Sequence, residues 1–322
     1  RDQSTNHKYI RSGKDLHDKG LYIELQAFGH HVFIDFKEIY DDSGDYERLA
    51  SHLHGSGVMN IEEELEKVRL FPVLIKLYDL FDNKVFNKFS QYLSEKDEAI
   101  TESVLTSMEK RIALLAEQIR LIVHKSFQTE IILAEYKKNI QAGRQLFLII
   151  NQPDRVLFLD SMDKRSLLIL HAWFITESIL ETGGDEILKR LYFHRSFTEI
   201  FTTFDFSQDQ AGEMASFVLQ MKRRENETWS EYFTRPEIEK IIDANEFDTV
   251  KYFNKEKFEE LLNLAITAEA TIFLKNSTDT KVDIESIGNV HAFLVDLSNK
   301  SKFRFDDFIS MIKQDEEKKG KK

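Results

Sequence analysis

The chain has 322 residues, 42% hydrophobic and 31% charged, with three prolines, twelve glycines and no cysteine. Its formal charge of −12 opposes the phosphate neutralisation that nucleic-acid binding requires, so no nucleic-acid partner is expected. Without cysteine there are no disulfides or thiolate metal sites, which fits a reducing, cytoplasmic compartment; no apolar run approaches the ~20 residues of a bilayer-spanning helix, so no membrane partner is expected.

Taken in order, residues 1–19 are polar, with Lys8–Tyr9–Ile10 as a short strand and Arg11–Ser12–Gly13 as a turn. Between Gly20 and Tyr40, Leu21, Ile23 and Leu25 alternate with polar or aromatic neighbours, then Val32, Ile34 and Phe36 do the same. A period of two around Ala27–Phe28–Gly29 predicts an antiparallel hairpin, Leu21–Gln26 against His31–Lys37. A lone hairpin is marginal in water, so this one is expected to belong to a sheet whose other strands lie outside the chain, with its outer edge unpaired or borrowed by a neighbour. A chain starting at Arg1 rather than Met also reads as a piece of something longer.

Asp41–Asp45 is a loop by composition, and Tyr46–Leu53 makes two helical turns. The helical body starts at Asn60, a capping residue with Glu63 three positions on, and Pro72 is expected to kink or break it. A second start lies near Ser94, where Glu95, Asp97 and Glu98 suit the helix dipole. An amphipathic stripe follows through Ile112, Leu115, Ile119, Ile122, Val123, Phe127, Ile131 and Leu133. Asn151–Gln152–Pro153–Asp154 marks a subdomain junction. Residues 166–180, SLLILHAWFITESIL, are apolar on nearly every side and predict the central core helix, stopped by Gly183–Gly184. Helices follow at Glu186–Phe204, Gln208–Arg224, after a Thr234 cap with Pro236 in the first turn, at Lys255–Phe273 capped by Asn254, and at Ile284–Ile312 with a break near Asn299–Lys302. The expected fold is mainly α: a multi-helix bundle-like body with a short antiparallel β-hairpin at the N-terminal end. Its expected divisions are 1–40 (the remnant of a β-domain), 41–150 and 151–322 (two helical subdomains).

Chemistry-bearing patterns are sparse. There is no Glu-x-x-His or His-Glu-x-x-His, no P-loop, no dinucleotide fingerprint and no nucleophile elbow. His52 and His54 precede a Gly-rich loop, His30 and His31 flank the hairpin bend, and His171 reads as a hydrogen-bonded core histidine. Asp243-x-Asn245 starts like a calcium loop, but Asp248 stands where glycine is needed and Asn254 where glutamate is. No metal and no cofactor are expected. Trp173 reads as core. Trp229, with Tyr232 and Phe233, is the candidate contact for a glycan or a protein partner, weighed against a packing anchor at a helix entry.

Two segments carry a resemblance. The first is GLYIELQAFGHHVFIDFKEI, preceded by YIRSG and followed by GSGV and IEEEL; the second is EYFTRPEIEKIIDANEFDTVKYFNKEKFEELL at Glu231–Leu262. In this order they resemble the C-terminal region of large multidomain bacterial proteins of the α-amylase family of glycoside hydrolases, where a catalytic barrel is followed by a small β-domain and a long helical region. The resemblance implies the end of that β-domain plus a helical extension, with the rest of the parent polypeptide as partner and an α-glucan as the parent's substrate. Tyr252 stands where such proteins often have tryptophan. The barrel that would supply the catalytic carboxylates is absent, so no residue here inherits a catalytic role. The expected function is a non-catalytic accessory or scaffold region; the alternative is an independent helical protein–protein interaction module.

Overall fold

Wherever apolar residues recur at helical spacing behind a side-chain cap, the chain forms helix, and the computed structural model is mainly α. It describes residues 1–25, 27–123, 128–150, 162–183, 188–189, 191–276 and 280–320. The junction expected at 151–154, Phe127, Gln26 and Gly184 lie outside these residues. The described elements are α1 (Gly13–Lys19), α2 (Asp45–Leu53), α3 (Ile61–Leu80), α4 (Asn83–Ser94), α5 (Glu98–Val123), α6 (Thr129–Ile150), α7 (Lys164–Gly183), α8 (Phe193–Thr202), α9 (Gln208–Val218), α10 (Trp229–Phe233), α11 (Pro236–Ile241), β1 (Asn245–Phe247), β2 (Val250–Tyr252), α12 (Lys255–Asn276), α13 (Thr280–Lys300) and α14 (Phe305–Gly320). Two compact units emerge, Arg1–Ile75 and Lys76–Lys322.

In the first unit the expected hairpin is not formed. Residues 20–25 and 29–40 carry no ladder; only Phe33 makes an isolated bridge, to Asp2, and the turn at Ala27–Phe28 persists. Two strands without a third, or a surface beneath them, do not recover the entropy of ordering. The segment is instead tied to the first residues of the chain: Gln3 N–H donates to the Val32 carbonyl (2.8 Å) and Ile34 N–H to the Arg1 carbonyl (2.8 Å). The buried Asp2 carboxylate accepts from Ser4 N–H (2.9 Å), the Thr5 hydroxyl (2.8 Å) and bonds His31 Nδ1 (2.7 Å). Burial alone would raise this carboxyl, but those bonds and the His31 charge hold it below its ordinary value. Lys8 forms a bridge to Val58 rather than a strand. Ser12 caps α1, a helix that the polar composition of residues 1–19 did not predict. Asn60 Oδ1 accepts from Glu62 N–H (3.1 Å) and Glu63 N–H (3.4 Å), starting α3 as expected. Pro72 neither breaks nor ends α3, which runs on to Leu80.

The second unit is built around α7. Leu168 to Ile179 are buried residue after residue, including Trp173, Phe174 and Glu177. A helix buried on all sides needs close neighbours, and Gly143 of α6 provides one: a Cβ there would lie 2.5 Å from the rim of the Phe174 ring. His171 sits among Phe81, Phe86 and Phe89, stacked on Phe89 at 4.2 Å, with Tyr136 Oη 3.3 Å from its Nε2. It is the expected core histidine, and burial lowers its pKa from 6.5 to about 3.

Several boundaries differ from the sequence reading. Ser94 ends α4; α5 starts at Glu98, where Asp97 accepts from Ala99 N–H (2.9 Å). Thr228, not Thr234, makes the capping box, with Glu231, and α11 opens directly on Pro236. The one regular antiparallel pair among the described residues is β1–β2, in register Asn245↔Tyr252, around Asp248 and Thr249. Both turn residues are left-handed, φ 48° and 66°, which matches the twist of a two-residue hairpin. The break expected near Asn299–Lys302 separates α13 from α14.

Two outcomes follow for stability. Gly143→Ala forces the Phe174 ring aside; overpacking costs about 1–3 kcal/mol and helix propensity returns up to about 1, so urea unfolding should show a net loss of about 1–2 kcal/mol. For His171 the folded pKa is depressed, so the unfolded chain takes up a proton first. Stability is full above pH 6.5 and falls as pH drops toward 3, by up to about 1.4 kcal/mol per pH unit from this group. His171→Phe should give a shallower pH dependence than the parent in urea melts between pH 7 and 5.

Candidate functional site

The segment 219–235 gathers the sequence-predicted aromatics with charges that sequence reasoning missed. Thr228 caps α10, accepting from Glu231 N–H (3.2 Å), while Glu316 of α14 accepts from Trp229 N–H (2.9 Å) and the Ser230 hydroxyl (2.7 Å). This fixes how α10 presents its rings. Tyr232 and Phe233 are fully buried; Phe233 packs on Phe258 and Phe308, each at 5.4 Å, and the Tyr232 hydroxyl donates to the Met221 carbonyl (3.3 Å). Burial pushes the Tyr232 phenol far up. Trp229 is half-buried, edge-on to Tyr232, with the Arg223 guanidinium 4.5 Å from its ring centre. The three candidates are therefore brought together, and only Trp229 keeps part of its surface toward solvent.

Around them runs a set of ion pairs across elements. Arg235, 5% exposed in its side chain, forks onto the Glu227 carboxylate and also donates to the Gln220 carbonyl (3.0 Å). Arg223 pairs with Glu269 of α12 at 3.0 Å. Lys222 reaches Glu177 of α7 at 2.6 Å, a carboxylate only 2% exposed. Burial alone would lower the Lys222 ammonium, yet the Glu177 carboxylate raises it above its ordinary value. Lys275 joins α12 to Glu135 of α6 at 2.6 Å. Each of these carboxylates is held as a counter-ion, so the cluster acts as a clamp between helices. One signal could have found it: Glu177 is the only charged residue in the apolar run 166–180, and a lone charge in a core helix demands a partner.

The other sequence candidates are dispersed. His52 and His54 are exposed at the end of α2, His31 serves Asp2, and Asn245 Nδ2 donates to the Asp243 carboxylate (2.7 Å) within a turn. Among the described residues no three His, Asp or Glu side chains group to hold a metal ion, and no helix is long and apolar enough to cross a membrane.

A second candidate surface lies in the first unit. Tyr22 (79%), Phe28 (106%), Phe36 (75%) and Tyr40 (84%) are exposed, together with Leu21, Ile23, Leu25, Val32 and Ile39. Four exposed aromatic rings within nineteen residues are an unusual concentration of apolar surface for one short segment. The alternation places apolar side chains on both faces of what would be strands. Comparison with models of known protein families, with curated proteins and with solved structures finds no match for this chain.

Truncating Arg235 tests the clamp. Arg235→Ala strands the Glu227 carboxylate and should cost about 3–5 kcal/mol in equilibrium unfolding, whereas removing the exposed Lys19–Asp15 pair should leave the unfolding midpoint unchanged.

Proposed function

We propose that this chain is the non-catalytic accessory region of an α-amylase-like glycoside hydrolase acting on α-glucans, in which the segment 20–40 completes a β-domain and the helical body is a scaffold. The observation that carries this reading is the uncovered segment itself. Its residues have the period, the β-branched and aromatic side chains and the tight turn of paired strands, yet they make no ladder and expose their apolar side chains. A sequence built for a sheet, without a sheet, calls for strands supplied from elsewhere, and the residues that resemble the glycoside hydrolases are the same ones.

The ion-pair clamp agrees with a scaffold role. The carboxylates of Glu177, Glu269, Glu227 and Glu135 are here paired with Lys222, Arg223, Arg235 and Lys275. The partner under this reading is the remainder of the parent polypeptide, its β-domain first.

Incubating the chain with starch, glycogen and maltodextrin and measuring reducing ends is the direct test. No turnover above the buffer rate is expected, and sustained hydrolysis would remove the non-catalytic reading.

A further inference from the structure

A groove of about 740 Å³ lies within the second unit between α5 and α6, with Tyr92 of α4 among its walls. A cavity of this size suits a small molecule or a short oligomer. Its ionic groups are of both signs and spread along the walls: Glu98, Glu102 and Glu109 on α5 face Lys137 and Arg144 on α6. Lys137 is paired with Glu109 at 2.8 Å. Arg144 donates to the Glu95 carbonyl (2.8 Å) and lies 5.6 Å from the Tyr92 ring centre, with no carboxylate in ion-pair range among the described residues. An anionic ligand would meet the three glutamates, and a cationic one would meet Arg144 and Lys137. What remains is a mixed set of donors and acceptors, with the amides of Gln141 and Gln145 exposed on the α6 wall, beside an apolar strip of Leu105, Leu148 and Ile149.

Planar polar side chains beside an apolar strip match a ligand that has hydroxyls at its edge, C–H groups on its face and no net charge. We propose that this groove binds a neutral, hydroxyl-rich oligosaccharide. Gln141, Gln145 and Arg144 bond its hydroxyls, and Leu105, Leu148 and Ile149 support its apolar face. The site is distinct from the Trp229 cluster, where burial of Tyr232 and Phe233 leaves two of the three rings out of a ligand's reach. The groove lies wholly in the second unit, so its ligand can be tested without a strand partner for the first. The choice of an α-linked probe rests on the function proposed above; the preference for a neutral ligand rests on the groove alone.

Isothermal titration of the whole chain with maltohexaose, cellohexaose, glucose 6-phosphate and glucosamine is the experiment. Saturable binding of a hexasaccharide is expected, with the charged sugars at least about tenfold weaker. The Gln141→Ala/Gln145→Ala double variant should weaken the hexasaccharide about tenfold, the loss of two neutral hydrogen bonds, with an unchanged thermal melt because both side chains are exposed. Absence of binding by both hexasaccharides, tighter binding of either charged sugar, or a double variant that binds like the parent would each overturn the proposal. Starch turnover would instead remove the non-catalytic reading and leave this site standing.

Discussion

The burial of α7 on every side is the constraint on which the second unit depends. A helix with no polar face cannot reach water, so its neighbours must approach closely and any polar group on it must find a partner inside. Gly143 answers the first demand by letting α6 approach the Phe174 ring. Lys222 answers the second by reaching Glu177, and Tyr136 and Asn139 do so for His171 and Ser178. Replacing Glu177 by an apolar residue would spare that desolvation. Its presence instead ties the loop after α9 to the core helix at one defined place, a matter of specificity more than of net stability.

The first unit follows a different logic. Beside its buried Leu49, Leu65, Leu70 and Val73 it has two polar fixed points: Asp2 gathering Ser4, Thr5 and His31, and Asp45 held between Arg48 and Arg69. Burial would raise the Asp45 carboxyl, but Arg69 and Ser43, and the charge of Arg48, outweigh it and lower the group. Apolar side chains between Leu21 and Tyr40, which would form the core of a sheet, are left at the surface. Hydrophobic burial is the main favourable term in folding. This segment forgoes much of that burial while holding a strand pattern.

Much of the helical architecture could be read from spacing and caps. Asn60, Asn254 and the apolar run at 166–180 each appear where the sequence placed them, because side-chain caps and helical periodicity are local and need no knowledge of neighbours. Pro72 misled for a nameable reason: its neighbours on α3, Leu70, Val73 and Leu77, are buried, and that packing outweighs the lost donor. The hairpin misled in the opposite sense. Period two encodes which residues share a face, but whether two such runs pair depends on a surface beneath them, which the pattern does not contain. The ion-pair clamp was hardest to read, since Glu177 and Lys222, or Arg223 and Glu269, are brought together only by packing.

These two failures of local reading bear on function in the same direction. The charges of Lys222, Arg223 and Arg235 are spent on carboxylates inside the fold. Where strands were read, the backbone around Val32 and Ile34 bonds residues 1–3, while the apolar side chains of Leu21, Tyr22, Phe28, Phe36 and Tyr40 stay at the surface. Chemical capacity that is already used inside the fold stabilises it; capacity left over is what a molecule can offer to something else. By that criterion the helical clamp around Trp229 belongs to the architecture. The outward-facing resources are the strand-patterned segment of the first unit and the polar groove of the second, where Gln141 and Gln145 stand exposed beside Arg144.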